Sequence, residues 1–437
     1  MRVTVQGLWH LGSVTAACLA AAGHDVVGLD DEGVVGELMR GRPPLFEPGL
    51  AELVQSGLDT GRLSFTSDPL QAAAGAEVCW VAFDTPVDEE DVADISYVTD
   101  RVEALLPNLP RGCLVVVSSQ LPAGSVRALA RHACASGSAD ISFACSPENL
   151  RLGKAIEVFT KPDRVIFGVQ RVEDEEKIRA LLAPITDSIV FMSVESAEMT
   201  KHAINGFLAM SVAFANEIAT VCEAVGADAG EVARGLKTEA RIGPKAYVSP
   251  GAAFAGGTLA RDIAFLTEEA RTHGLELALI PSVAASNRRH RAWPLDRLRA
   301  YLGEIKGSTV AILGLTYKAG TSTLRRSSSV ELARALAAAG ARVRAYDPAV
   351  PSLPPDADLA IELSPSLEAA LEGADAAVVA TEWPEFRYAD WPSLIGRLAR
   401  PIVLDPNGLL AGQLGGRRDV TYASVGRTTS RGSGGIT

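Results

Sequence analysis

The chain has 437 residues, 47% of them hydrophobic and 22% charged, and carries a formal net charge of −12. Such a length allows about three globular domains, each able to bury a core of its own. The acidic balance argues against sequence-blind binding to nucleic acid or to an anionic membrane, because both would repel it; the short basic run at residues 288–291 (RRHR) reads as a solvated helix face.

The first residues, MRVTVQG, form a strand pattern rather than a charged leader followed by an apolar stretch, and no apolar run is expected to span a membrane, so the expectation is a cytoplasmic protein. Cys18, Cys79, Cys113, Cys134, Cys145 and Cys222 are scattered without CxxC or metal-ligand spacing and lie mostly in apolar runs, which predicts buried free thiols. The six histidines are equally dispersed, so no metal site is expected.

Residues 2–6 alternate as a strand does, and Gly7-Leu8-Trp9-His10-Leu11-Gly12, an Ala-rich helical run to Ala22 and residues 23–30 (GHDVVGLD) follow. Strand, glycine turn, helix and a second strand ending in an acid is the pattern of a dinucleotide-binding unit, in which Asp30 would hold the adenosine ribose. Trp9 occupies the middle glycine of G-x-G-x-x-G. It either packs under the turn and leaves the dinucleotide unaffected or tilts and weakens the pyrophosphate site. Residues 76–83 (AEVCWVAF) run into Asp84-Thr85-Pro86, and residues 113–117 into Ser118-Ser119-Gln120. Apolar strands that end in small polar residues suit a parallel sheet whose carboxyl edge holds ligand.

Ser196 is read as the cap of a helix running to about Val225, with Gly226 as its stop. Ile204, Phe207, Leu208, Met210, Val212, Phe214, Ile218 and Val221 surround it, which predicts burial on several sides, between lobes or against another subunit. Lys201 and Asn205, four apart, share one face. Residues 250–262 (PGAAFAGGTLARD) form a glycine-rich loop where two lobes and the long helix are expected to meet. Gly251, Gly256 and Gly257 let backbone approach a ligand, and Arg261 and Asp262 put opposite charges at its far end.

The opening pattern then recurs. Residues 309–313 lead into Gly314, a helix is expected over 328–339, and residues 340–347 (GARVRAYD) end in an acid at the spacing of residues 23–30, while residues 367–383 echo residues 70–85. The predicted class is α/β, with two Rossmann-like doubly wound domains joined by a central helical domain with one long helix: residues 1–193, 194–298 and 299–427, followed by a Gly/Ser/Thr-rich tail, 428–437, expected to be disordered.

Over residues 1–427 the chain resembles the UDP-glucose/GDP-mannose dehydrogenase family. The resemblance is carried, in order, by AGHDVVGLD, FEPGLAEL (46–53), ADISYV (93–98), SPENLRLGKAI (146–156), PDRVIFG (162–168), EMTKHAINGFLA, NEIATVCEAVGAD, RIG (241–243), PGAAFAGGTLARD, LGLTYKAGT, AYDP, TEWPEF and VGR. It implies an NAD-binding N-terminal domain, a central helical domain that makes a homodimer, and a C-terminal domain for the nucleotide of a nucleotide-sugar substrate. Gly7, Trp9, Gly12, Asp30, Thr85, Ser119 and Arg325 fall to the cofactor side; with Asp30 and Arg325 in place, retained NAD binding is expected despite Trp9. Arg241, Tyr247, Phe254, Gly256 and Lys318 fall to the substrate side, and Lys201, Asn205, Asp262, Glu148 and Thr258 to catalysis. An ammonium such as Lys201 stabilises an alkoxide that forms as hydride leaves, and Asp262 accepts a proton through water.

Several positions depart from the family pattern. Members that make sugar acids carry a cysteine in a GFGGSCFPKD-like stretch, and here that residue is Thr258. A thiolate traps an aldehyde as a thiohemiacetal that is then oxidised to a thioester, whereas a threonine hydroxyl is far less acidic. The threonine expected after Ser119 is Gln120, the second acid of the PEFLRE-like stretch is Leu152, the lysine before Asp262 is Arg261, and the arginine of the late D-x-R stretch is Asn407. These changes predict an NAD-dependent oxidoreductase that removes one hydride from a nucleotide sugar and stops at the carbonyl. The alternatives are an epimerase working through a transient ketone, a conventional four-electron 6-dehydrogenase that tolerates Thr258, and a non-catalytic nucleotide-sugar binder. No nucleic acid or membrane partner is expected.

Overall fold

The structure is a computed structural model that describes residues 1–86, 93–147, 150–255, 257–354 and 359–427. It divides into two compact units, Met1–Ile204 and Asn205–Thr437. The first is built on strands β1 (Arg2–Gln6), β2 (Asp25–Leu29), β3 (Leu63–Thr66), β4 (Val78–Val81), β5 (Leu114–Val117), β6 (Ser142–Cys145), β7 (Val165–Val169) and β8 (Ile189–Met192). Their order in the sheet is β3-β2-β1-β4-β5-β6-β7-β8, parallel from β3 through β6; β7 turns antiparallel to β6 and β8 runs parallel to β7.

Every residue of β4, β5 and β6 is buried. The two-residue period of a strand explains how an unbroken apolar run serves two faces: Leu114 and Val116 enter one core cluster with Leu8, Val14 and Leu19, while Val115 and Val117 enter the other with Val98, Val102 and Phe143. Each such side chain contributes roughly 1.5–3 kcal/mol through burial. The chain reverses its winding between β1 and β4, and ligands of open parallel sheets bind beyond the carboxyl ends at that point.

The second unit repeats the arrangement. Strands β9 (Thr309–Leu313), β10 (Arg342–Tyr346), β11 (Glu362–Leu363), β12 (Ala376–Val379), β13 (Ile402–Leu404) and β14 (Thr421–Ala423) lie in the order β11-β10-β9-β12-β13-β14, all parallel, as expected from the internal echo. Gly314 at the end of β9 has φ +93° and Gly7 at the end of β1 has φ +88°. The Ser328–Ala338 helix starts from Ser327, whose side chain accepts from the Ser329 N–H.

The long helix, Val194–Val225, differs from its sequence reading in two ways. Its cap is Ser193 rather than Ser196: Ser193 Oγ accepts the Ser196 N–H at 3.3 Å and its carbonyl accepts the Ala197 N–H at 3.0 Å. Nor is it buried by its large residues. Phe207, Phe214 and Val221 are 62%, 48% and 58% exposed, and their seven-residue spacing lines them up along one stripe; Ala209, Ala213, Ala215 and Ala219 make the buried faces. Gly226 stops the helix at φ +80° as expected. By length and hydropathy this helix equals a membrane span, contrary to the expectation that no apolar run would. Its buried Asn205 and Asn216, and the packing of Ala209 and Ala213 with Ile263 and Val283, are those of a core helix. Five of the six cysteines are buried and free; Cys134 is free and exposed.

Candidate functional site

The turn after β1 is tight for a structural reason. A Cβ on Gly7 would lie 2.5 Å from Phe83 Cδ1 and 2.9 Å from the Phe83 backbone nitrogen, and one on Gly12 would collide with the Gly7 carbonyl. Only glycine satisfies both crowding and a positive φ at Gly7. Asp30 closes the turn: its Oδ2 accepts the Leu8 N–H at 2.5 Å and its Oδ1 the Asp31 N–H at 2.7 Å. A carboxylate has about four acceptor positions, so a half-buried Asp30 keeps capacity for ribose hydroxyls. In the second unit Asp347 is buried, and its Oδ2 already accepts from the Leu315 and Thr316 N–H groups, Thr316 Oγ1 and Trp383 Nε1. The repeated acid is therefore a structural tie there.

Trp9 is not packed under the turn. It precedes the His10–Ala21 helix with no side-chain cap, and it is 48% exposed. The first-turn N–H groups of this helix suit a pyrophosphate, so the crowded glycine, the uncapped helix and the acid all fit a dinucleotide; the indole is the one feature that does not. Trp9→Gly is expected to tighten NAD binding about tenfold, because backbone could then approach the phosphates, which calorimetric titration of NAD would measure. Equal or weaker binding by the variant would show that the indole is no obstacle.

Beyond the carboxyl ends of β5 and β6, still within the first unit, a cavity is lined by Ser118, Ser119, Gln120, Cys145, Glu198, Lys201 and His202 among others. Thr85 is tied to its rim, its Oγ1 donating to the Gln120 carbonyl at 2.8 Å. Ser119 is buried, and its Oγ has no hydrogen-bond partner among the described residues, so the hydroxyl remains available to a ligand. Glu198, one turn before Lys201, caps the Ser125–Ala135 helix by accepting the Gly124 and Val126 N–H groups at 2.6 and 3.0 Å. Burial pushes its carboxyl above the usual range, and those two N–H groups partly offset this. Burial also pushes the Cys145 thiol far up, which makes it a poor nucleophile despite its place in the cavity wall. Sequence reasoning did not single out Glu198 or His202, although both lie inside the EMTKHAINGFLA stretch.

In the second unit Asn205 Nδ2 donates to Asp262 Oδ2 at 2.5 Å, and Asp262 is fully buried. The sequence placed Arg261 and Asp262 at the end of a loop; they stand instead in the first turns of the Thr258–Thr272 helix, which Gly257 opens at φ +117°. Thr258 is the first, exposed residue of that helix. A helix there turns Asp262 inward, one turn beyond the residue aligned with the family's cysteine.

The loop before this helix is held by side chains that the sequence did not point to. Gly251 N–H donates to Asn216 Oδ1 at 3.0 Å; Phe254 N–H donates to Asn287 Oδ1 at 3.0 Å, and Asn287 Nδ2 returns a bond to the Phe254 carbonyl at 2.8 Å. His290 Nε2 is 2.8 Å from the Gly251 carbonyl, and burial lowers the imidazole pKa, so the neutral ring donates. Arg291 pairs with Glu331 at 3.0 Å. The basic run at 288–291 is thus only half solvated: Arg288 and Arg289 are exposed, while His290 and Arg291 are partly buried.

The remaining cations assigned to ligand are exposed. Arg241 pairs with Glu239 at 2.8 Å, and Lys318 and Arg325 lie in the segment between β9 and the Ser328–Ala338 helix. Tyr247 is exposed, and Phe254 packs at the edge of the cluster formed by Ala209, Ala213, Ile263 and Val283. Glu148 and Gly256 lie outside the described residues.

The chain matches known proteins along nearly its whole length. Residues 1–186 match the NAD binding domain of the UDP-glucose/GDP-mannose dehydrogenase family, residues 195–289 its central domain and residues 311–412 its UDP binding domain. A UDP-glucose 6-dehydrogenase from Rhizobium meliloti (strain 1021) is 37% identical over 98% of this chain and 100% of its own length; one from Pseudomonas aeruginosa is 35% identical over 98% of both. Among solved structures, a UDP-glucose dehydrogenase from Pyrobaculum islandicum superposes with a TM-score of 0.82 at 29% identity, covering 99% of this chain and 95% of that one. A UDP-D-ManNAc dehydrogenase from Pyrococcus horikoshii gives 0.85 at 26% identity, covering 98% and 99%. A crowded glycine turn with a ribose-ready acid, followed by a second doubly wound unit and matched along its length by these relatives, places the chain in the UDP-glucose/GDP-mannose dehydrogenase family as an NAD-dependent nucleotide-sugar dehydrogenase.

Proposed function

We propose that the protein oxidises the primary alcohol of a UDP-hexose of the UDP-glucose type to the acid, the reaction named for its relatives. The observation that carries this is 37% identity to a UDP-glucose 6-dehydrogenase across 98% of the chain. The order of preference expected from the departures at Thr258, Gln120, Leu152, Arg261 and Asn407 is thereby reversed, and a single oxidation ending at the carbonyl becomes the second reading.

In this reading Lys201 supplies the ammonium that stabilises alkoxide character at the reacting oxygen, and Asp262 accepts the proton, directly or through water, with Asn205 fixing its carboxylate. Glu148 belongs to the same set by family resemblance, and Thr258 stands where a thiol would otherwise act. Gly7, Gly12, Asp30, Thr85, Ser119 and Arg325 hold NAD, with Trp9 beside it; Arg241 and Lys318 meet the diphosphate, and Tyr247, Phe254 and Gly256 shape the sugar's surroundings. Bound NAD supplies a hydride acceptor. Without a thiol, water adds to the aldehyde, Asp262 takes a proton from the resulting gem-diol, and the C–H hydrogen would leave as hydride to a second NAD⁺ while the C=O bond of the acid forms. The balance is one alcohol, two NAD⁺ and one water giving one carboxylate, two NADH and three protons.

We adopt the three-part division at 1–193, 194–298 and 299–427 for the NAD, central and nucleotide domains. The exposed stripe of Phe207, Phe214 and Val221 supports a homodimer through the central helix, and a cytoplasmic setting suits a soluble nucleotide-sugar substrate. The test is to incubate the protein with UDP-glucose and NAD, count NADH per sugar and weigh the product. Two NADH and a UDP-hexuronic acid support the proposal; one NADH and an aldehyde support the second reading. A changed configuration with no net NADH would point to an epimerase, and nucleotide-sugar binding with no NAD binding to a non-catalytic binder. Thr258→Cys is expected to speed the second oxidation about tenfold or more without altering the first, which rapid-quench analysis of the aldehyde would resolve.

A further inference from the structure

Residues 250–255 form no regular element, so their shape depends on side chains outside the segment. Asn216 belongs to the long helix, and Asn287 and His290 to the Leu279–Arg291 helix. A fourth group comes from elsewhere. Asn407 lies in the turn after β13, at the carboxyl edge of the second sheet, and its Oδ1 accepts the Ala252 N–H at 2.7 Å. The loop is pressed against this side chain: a Cβ on Gly251 would lie 2.7 Å from Asn407 Oδ1. A Cβ at Gly251 would displace the Asn407 side chain, so the close approach and not the torsion is what matters at this glycine, whose φ is outside the left-handed region.

We propose that Asn407 is a positioning residue that fixes residues 251–254 relative to the carboxyl edge of the second sheet, and so sets how closely the loop fits the hexose of the nucleotide sugar. The proposal rests on the assignment of this loop to the substrate. Asn407 is exposed and, among the described residues, makes this one bond to the loop, so its removal leaves the core intact while releasing the Ala252 end of the segment. Asn287 then still grips Phe254 through two bonds, which confines the loosening to residues 251–253.

Asn407→Ala is expected to raise the KM for UDP-glucose about tenfold, with kcat changed less than about threefold and the KM for NAD unchanged. Asn407→Asp, which keeps the acceptor oxygen, should restore the KM to within about threefold of the parent. Gly251→Ala should weaken substrate binding by a similar factor, because the new methyl group meets Asn407, and the double variant should be no worse than Asn407→Ala alone. Amide hydrogen exchange supplies a reading that needs no substrate: the Ala252 amide should exchange faster in Asn407→Ala, while that of Phe254 stays protected. An unaltered KM, a parallel rise for NAD, or strictly additive effects of the two substitutions would overturn the proposal. If the parent protein turns over no UDP-hexose, the functional reading fails, and unchanged Ala252 exchange in the variant is what removes the clamp.

Discussion

Asp262→Asn is expected to lower turnover about a thousandfold while leaving NAD affinity within about twofold, as measured by NADH formation and by NAD titration. The argument starts from burial: Asp262 has no exposed surface, and its Oδ2 receives the Asn205 amide at 2.5 Å. A buried carboxylate is retained at a cost of desolvation, and here the cost is offset in part by a hydrogen bond from a residue fixed on the long helix. Asparagine keeps nearly the same volume and can still bond Asn205, so packing is preserved and only the proton-accepting charge is removed. Asp262→Ala would mix two effects, since the buried Asn205 amide would lose its partner at about 1–3 kcal/mol of stability. A turnover within tenfold of the parent for Asp262→Asn would remove Asp262 from the chemistry.

Gly7→Ala is expected to destabilise the first unit by about 3 kcal/mol and to weaken NAD binding, as read by denaturant titration and calorimetry. Two terms contribute. The φ of +88° is strained for any residue with a Cβ, at about 1–2 kcal/mol. The added carbon would also lie 2.9 Å from the Phe83 backbone nitrogen, so the start of the segment after β4 would have to move. Gly23→Ala separates the terms, because Gly23 has φ +96° and nothing lies within 4 Å of its would-be Cβ. That variant should cost about 1–2 kcal/mol and leave NAD affinity unchanged. Equal losses for the two substitutions would mean that crowding at Gly7 has no part in the turn.

Sheet architecture was legible because strand composition and turn chemistry are local. The unbroken apolar runs of β4 and β5, the glycine turns at Gly7 and Gly314 and the acids Asp30 and Asp347 each announce a doubly wound unit, and their repetition announces two. The equivalence of the two acids was misleading in one respect. Asp347 is consumed by bonds from Leu315 and Thr316 in the turn after β9 and from Trp383 after β12. Periodicity likewise located the long helix and its stop but not its exposed stripe, since an apolar residue on a helix records a face and says nothing of what covers it.

By itself the sequence determined the two doubly wound units and their glycine turns, which follow from residue types at fixed short spacings, while the family and the place of Thr258 at the family's cysteine position followed from the resemblance of its ordered motifs. Only the tertiary structure decided that Trp9 stands exposed, that Asp262 is buried within a helix against Asn205, and that Asn216, Asn287, His290 and Asn407 shape the loop before it. The reason is that these last features are pairings between residues as much as 155 positions apart, and a hydrogen bond of that kind depends on how elements pack, which no local pattern encodes.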